Sequence, residues 1–244
     1  LTFHAVTDDS PGQGGDETDL VLLFTAMIAI TGGERSVDGV LQRTSAAPTT
    51  EARIAAALLA CTARWGLAKT TIDDIAREAG VSRATVYRLY PGGKAAISNA
   101  ASNAEVVRLS VDHADGLRGV DDLEEALTRT LHMSVAFLAQ QEAFRFVRDH
   151  EPAEFARLVS MERLESLLCT AGMILSPMLA PAFDAAGIDE VALRDETAVW
   201  LARIIASHVL HPDADADLAD PDVARQLVRS FVLPALLADP AVVD

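Results

Sequence analysis

Arg83, Thr85, Tyr87 and Arg88 fall within six residues, in a stretch from Ala79 to Pro91 that contains no acid. An arginine fork matches the O6 and N7 edge of guanine or the oxygens of a phosphate. A threonine can meet a thymine methyl or a phosphate, and a tyrosine can reach backbone or base. Lys94 follows a Pro91-Gly92-Gly93 turn, where its ammonium could pin a further phosphate. The chemistry open to this set is non-covalent recognition of a double-stranded polyanion.

Such a set needs a rigid element to present it, and the flanking residues describe one. Thr71 can cap a helix through its hydroxyl, and Asp74 occupies the third helical position that a capping box prefers, so a helix is predicted to start at Ile72. Gly80 supplies a left-handed residue to end it, and Ser82 can cap a second helix after a three-residue turn. Ile75, Ala79, Val81, Val86 and Leu89 are apolar where two steeply crossing helices would bury them, and Ala76 is small where they must approach. With Val86 and Leu89 inward, a period of about 3.6 residues turns Ala84, Tyr87 and Arg88 outward, with Arg83 and Thr85 on the flanks. A helix about 10–12 Å across fits the major groove of B-DNA.

As a set, these residues resemble the N-terminal DNA-binding domain of the tetracycline-repressor (TetR/AcrR) family of bacterial regulators. The resemblance spans residues 51–97, about a fifth of the chain. It runs through Trp65-Gly66, Thr70-Thr71-Ile72, Asp74-Ile75-Ala76, Ala79-Gly80-Val81-Ser82, Thr85-Val86-Tyr87 and Tyr90 to Lys94. It implies that Thr71, Ser82, Arg83, Thr85, Tyr87 and Lys94 lie at the DNA, and the outward Ala84 and Arg88 complete the candidate surface. Two departures stand out. Leu89 stands where relatives often carry a phosphate-contacting histidine, so that contact is absent or supplied by Arg88. Tyr90 replaces the usual phenylalanine and brings a hydroxyl that needs a partner.

The totals agree with this once they are divided along the chain. Half of the 244 residues are hydrophobic, ample for a buried core, and only 5% are aromatic; abundant Ala and Leu favour helices. A net charge of −16 is unpromising for a DNA binder. Residues 50–97, however, hold seven Lys or Arg against four Asp or Glu, a balance of +3, whereas residues 1–49 carry −5 and residues 98–244 carry −14. One basic face on an acidic body favours docking in a single orientation, and few positive contacts per subunit make pairing of two subunits important. Cys61 and Cys169 are expected to be buried small hydrophobes in a reduced, cytoplasmic protein.

Residues 1–19 are rich in Asp, Gly, Ser and Thr and are expected to be disordered. The run 20–30 is apolar throughout but too short for a bilayer core that needs about 20 residues, and the acidic segment before it is unlike a signal peptide. It reads either as an extra buried helix or strand or as sequence ahead of the natural start, with residues 31–50 as a linker. From Glu51 to Trp65, a stripe of Ile54, Ala55, Leu58, Leu59, Thr62 and Trp65 is expected to cover the helix-turn-helix from behind. A linking helix follows from Lys94 to about His113, with a break at Gly116 and Gly119 before Asp121-Asp122. Further helices are expected over about 121–141, 142–150, 152–175, 177–187, 189–210 and 220–238, with prolines at their ends. Val199, Trp200, Ile204, Ile205 and Val209, then Val223, Leu227, Val228, Phe231, Val232 and Leu236, give the last two more apolar face than one subunit needs. The family resemblance implies that they form a four-helix bundle between two subunits.

Other clusters invite chemistry but carry a plainer reading beside it. His132, Phe137, Phe144, His150, Met161 and Met173 could line a pocket for the apolar small molecule that relatives commonly bind, although Met and Phe at helical spacing equally describe plain core. Arg145, Arg148, Asp149, His150 and Glu151 form a polar knot, either a ligand anchor or a helix end with an Arg-carboxylate pair holding the turn before Pro152. His208 and His211 with Asp213, Asp215 and Asp217 bring a metal to mind, but Leu218 and Ala224 break the calcium-loop pattern, so an acidic solvated loop is expected. Catalytic motifs are missing: there is no G-x-S-x-G, Gly93-Lys94 lacks the rest of a phosphate loop, and the adjacent acids Asp73-Asp74 and Glu124-Glu125 should point apart.

The expectation is an all-α chain with an N-terminal extension over 1–49, a three-helix, homeodomain-like helix-turn-helix domain over 50–97, and a helical ligand-binding and dimerisation domain over 98–244. It would act in the cytoplasm as a homodimeric TetR-type regulator, a repressor released by a small apolar ligand, on a roughly palindromic DNA duplex, with no cofactor, metal, membrane or catalysis. The alternative is a dimeric small-molecule-binding protein whose DNA-binding domain is vestigial.

Overall fold

In the computed structural model, residues 48–159, 161–213 and 216–237 are described. Residues 1–47, including the apolar run 20–30, and Asp215 lie outside them. Every regular element among the described residues is helical.

The first core is built on α1 (Thr50–Trp65), which Thr49 caps by accepting from the Ala52 amide at 3.1 Å. Ile54, Ala55, Leu58, Cys61 and Thr62 line its buried face. Ile75, Ala76 and Ala79 of α2 (Ile72–Ala79) and Val86 of α3 (Arg83–Leu89) close on it, with Val81 and Leu89 packed at the margin. Ile54, Leu58 and Ile75 are almost fully enclosed, each worth about 1.5–3 kcal/mol of apolar burial. Trp65 departs from the expected stripe: as the last residue of α1 it is 43% exposed, its ring under the Arg64 guanidinium at 5.9 Å. Burial of the Cys61 thiol pushes its pKa up, whereas Cys169 is exposed and so is not the core residue expected.

Next comes α4 (Gly93–Gly116), which serves two cores, because Ile97 and Ala101 join the first and its far end reaches the second. The expected division at residue 97 therefore falls inside a continuous helix. Buried His113 anchors that far end, its Nδ1 2.9 Å from the Leu109 carbonyl and its Nε2 3.0 Å from Ser134 Oγ on α5 (Leu123–Gln140).

After α5 come α6 (Glu142–His150), α7 (Pro152–Leu158), α8 (Met161–Ala185), α9 (Val191–Leu210), α10 (Pro221–Leu227), a π-helical turn over Val228–Val232, and α11 (Leu233–Leu237). Leu127, Leu131, Leu179, Phe183, Leu201 and Val228 centre the second core. Two helix boundaries differ from expectation. Pro177 and Pro181 lie inside α8 instead of ending helices, and the break expected near 175 falls between Leu158 and Met161. Both prolines are on the exposed face of α8, where the carbonyls they leave without an amide partner can meet water. Within α8, Leu164–Ala185 is long and apolar enough to cross a membrane by length and composition. Here it packs along α9, with Leu175, Leu179, Ala182 and Phe183 in the core.

An ion-pair cluster ties the last helices to the start of α5. Arg225 reaches Glu125 at 2.9 Å and Glu124 at 3.7 Å, Arg229 holds Glu124 at 2.8 Å, and Arg129 holds Glu125 at 2.7 Å. Glu124 and Glu125 thus converge on Arg225 instead of pointing apart, because a long guanidinium can span adjacent positions that the helix itself separates.

Candidate nucleic-acid interface

Local chemistry sets the reading helix in place. The Thr71 hydroxyl accepts from the Asp74 amide at 3.2 Å while Asp74 Oδ2 accepts from the Thr71 amide at 3.1 Å, a complete capping box. The Thr71 hydroxyl also donates to Asp74 Oδ2 at 2.5 Å, and this bond foremost, with that from the Thr71 amide, holds the Asp74 carboxyl below the usual carboxylate range. Gly80 takes φ +65°, a left-handed conformation that costs a glycine little. Ser82 then caps α3 by accepting from the Thr85 amide at 3.1 Å, and its hydroxyl lies 2.9 Å from that of Thr85.

On α3, Val86 is fully buried, while Ser82, Arg83, Ala84, Tyr87 and Arg88 are exposed and Thr85 is half-buried. One continuous outward surface results, and Tyr87 stands out from it at 42% exposure. Arg88 forms no ion pair or hydrogen bond among the described residues. Arg83 is engaged: Nη1 donates to Asp73 at 2.9 and 3.2 Å, and its guanidinium lies 5.5 Å over the Tyr87 ring. The Tyr87 hydroxyl and the Asp73 charge push the Arg83 pKa up. The surface is therefore not free of acid as α3 alone implied. Asp73 arrives from α2, and α3 by itself gives no sign of it.

Lys94 occupies a different place from the rest. Half-buried, it donates to the carbonyls of Leu67 at 2.8 Å and Thr70 at 3.2 Å, closing the turn between α1 and α2. The Tyr90 hydroxyl finds its partner in the Glu51 carbonyl at 3.3 Å, and desolvation of the ring raises its pKa.

The candidate pocket residues stand in different surroundings. Phe144 packs on the second core, edge-on to Phe155 at 6.0 Å; Phe137 lies under the Arg108 guanidinium at 4.6 Å; His132 is half-buried on α5, its Nδ1 without a hydrogen-bond partner. His150 and Met173 are exposed, which contradicts their place in an enclosed pocket. His150, one helical turn after Phe146 on α6, is exposed with its ring tilted against that of Phe146 at 4.7 Å, and Met173 shares the outer face of α8 with Pro177. The side chain of Met161 lies outside what is described. In the polar knot, Arg148 pairs with Asp149 at 2.7 Å and holds its carboxyl low, while Glu151 reaches the α1–α2 turn. Among the described residues no group of three or more His, Cys, Asp or Glu is placed to hold a metal ion.

Residues 54–101 match the family model described as bacterial regulatory proteins, tetR family. No curated protein matches the chain. Two solved structures share its fold. The TetR family repressor AlkX from Dietzia sp. strain DQ12-45-1b, implicated in biodegradation of n-alkanes, aligns at TM-score 0.55 and 22% identity over 74% of this chain and 92% of that one. The fatty acid degradation regulator FadR from Bacillus halodurans aligns at TM-score 0.51 and 19% identity over 77% and 98%. Matched motif, capped helix-turn-helix and all-helical architecture agree: residues 54–101 form a DNA-binding domain of the bacterial tetR regulatory type, carried on a helical chain that shares the fold of TetR-family proteins.

Proposed function

We propose that the chain is a homodimeric repressor that reads a roughly palindromic duplex through α3 and is released by a small apolar ligand held in the helical region after residue 98. The observation that carries the DNA side of this reading is the outward surface of α3, where Arg83, Tyr87 and the unpaired Arg88 stand together over a buried Val86. Ala84 is small enough to let the backbone approach the groove floor, and Thr71, Ser82 and Thr85 offer hydroxyls or amides to flanking phosphates. Lys94 acts mainly by holding the turn that presents Thr71, with one ammonium proton left for a phosphate.

Pairing of subunits is supported by two large residues left uncovered at the C-terminal end: Trp200 at 46% exposure and Phe231 at 69%. Ile205, Val209, Val228 and Val232, also expected there, are buried within the subunit itself. The intersubunit face is accordingly smaller than the apolar pattern implied and is anchored by aromatics. Two such subunits would set their reading helices about one turn of DNA, roughly 34–36 Å, apart. A regulator of this kind works in the cytoplasm, where its DNA is.

Fluorescence anisotropy with mixed-sequence and promoter duplexes at rising salt tests the reading. Binding that weakens steeply with salt, by a slope of about 0.9 per phosphate contacted, is expected. Indifference to every duplex at low salt would refute it. A fatty acid and an n-alkane, the compound classes named for the two similar structures, are the first probes of release; duplex affinity unchanged by either class would remove the support for an apolar effector.

A further inference from the structure

The turn between α1 and α2 is gripped from two sides. Lys94 takes its carbonyls, as described above. Opposite, Glu151 accepts from two of its amides, Leu67 at 2.7 Å to Oε2 and Ala68 at 3.0 Å to Oε1. Glu151 is the residue between α6 and α7, 84 positions from Leu67 in the chain. A carboxylate shared between two backbone N–H groups belongs to the stronger, charge-assisted class of hydrogen bond. The fit is tight: a Cβ on Gly66 would stand 2.4 Å from Glu151 Oε1 and 2.8 Å from Phe146 Cε1, and Gly66 also takes φ +88°.

The helix that Glu151 terminates, α6, faces both cores. Val147 is buried and Phe144 packs on the second core, while Arg148 donates to the Val209 carbonyl of α9 at 3.3 Å. Phe146 and Glu151 close on Gly66 and the turn ahead of α2. A nine-residue helix seated in this way transmits its own displacement to whatever its far side holds, since packed contacts shift as units and do not deform continuously.

We infer that Glu151 is a positioning residue for DNA recognition, the latch by which α6 sets where α2 and α3 stand relative to the regulatory body. The inference rests on the DNA-binding reading above and adds a second connection to the continuous helix α4. A ligand or partner subunit that moves α6 moves the reading helix through this carboxylate. Reciprocally, DNA held by α3 is felt at α6.

Amide hydrogen exchange on the full chain tests this, with wild type, Glu151→Ala and the isosteric Glu151→Gln, free and saturated with a duplex selected from a random pool. In the free protein, Leu67 and Ala68 should exchange about tenfold faster in Glu151→Ala, with Glu151→Gln intermediate because it keeps only one of the two oxygens that the two amides use, and residues 83–89 unchanged. A general rise across 72–89 would instead mark Glu151 as a mere stability element and overturn the assignment. Adding the duplex should change exchange over 142–150 in wild type, and Glu151→Ala should lose that change while keeping protection over 72–89. Equal exchange at Leu67 and Ala68 in all three proteins, or a response of α6 to DNA that survives intact in Glu151→Ala, would also overturn it. Should Glu151→Ala not fold, Glu151→Gln decides by the same criteria. If no duplex protects 72–89 in wild type, the DNA-binding reading fails and takes the positioning role with it, while the comparison at 67–68 still shows whether the grip exists.

Discussion

Asp73 of α2 holds Arg83 of α3 by one guanidinium nitrogen, at 2.9 and 3.2 Å from the two carboxylate oxygens, across the turn that joins the helices. Both side chains are more than half exposed, so the pair adds little to stability. In the proposed interface its effect is on reading. The carboxylate fixes the guanidinium against the Tyr87 ring and repels any phosphate that would compete for it. Replacing Asp73 with Asn should raise affinity for mixed-sequence DNA about two- to tenfold at low salt and reduce discrimination between operator and random duplex, both read by competition anisotropy. Unchanged discrimination would mean that Arg83 reads no base.

The two arginines of α3 should separate by role. Arg83→Ala is expected to cost about 1–3 kcal/mol against the preferred duplex and to relax preference at one base pair. Arg88→Ala should weaken all duplexes alike and lower the salt slope by about one. Titrations of each variant on preferred and scrambled duplexes check this; no loss for either protein on either DNA would place another face in the groove.

Trp200 and Phe231 are the exposed aromatics of the C-terminal helices. Phe231→Asp and Trp200→Asp should shift the protein toward monomer by light scattering at micromolar concentration, leave its far-ultraviolet circular dichroism unchanged, and weaken operator binding at least about tenfold by removing the second reader. A dimer that survives both changes would put the subunit contact elsewhere.

Hydrogen bonds from Arg129 and Arg225 hold the Glu125 carboxyl below the usual carboxylate range. Its folded-state pKa is lower than its unfolded one, so it stabilises the fold above the unfolded value and this contribution disappears as pH falls through the folded one. Tm is therefore expected to drop as pH goes from about 5 to about 3, and Glu125→Gln should have a lower Tm at pH 7 and a shallower acid decline. Asp74 and Asp149, held low by Thr71 and Arg148, act in the same direction and leave part of the slope in the variant. An acid decline identical in slope to wild type would remove Glu125 from this role.

What the sequence made legible was what is local. The Thr71–Asp74 box, the left-handed Gly80, the Ser82 cap and the inward Val86 all depend on residues within four positions of one another, and residue type at capping positions together with helical periodicity exposes them. Contacts across longer separations stayed hidden: Asp73 on Arg83, Lys94 on the turn 27 residues before it, and Glu151 on the same turn from 84 residues away. No pattern within a helix announces which neighbour a long side chain will find. Pro177 and Pro181 misled because a helix-breaking residue is tolerated on an exposed helix face. His150 and Met173 suit a pocket by residue type, but packing leaves both exposed to solvent.

Two copies of α3 are proposed to read one duplex. Selection of bound sequences from a random DNA pool by the purified full chain tests this in a single measurement, because it reports affinity, symmetry and spacing together. The predicted result is enrichment of a twofold-symmetric site whose half-sites lie about one helical turn, 10–10.5 base pairs, apart, or a multiple of it. A pool that shows no enrichment after repeated rounds, or one that converges on a single asymmetric half-site, would contradict it.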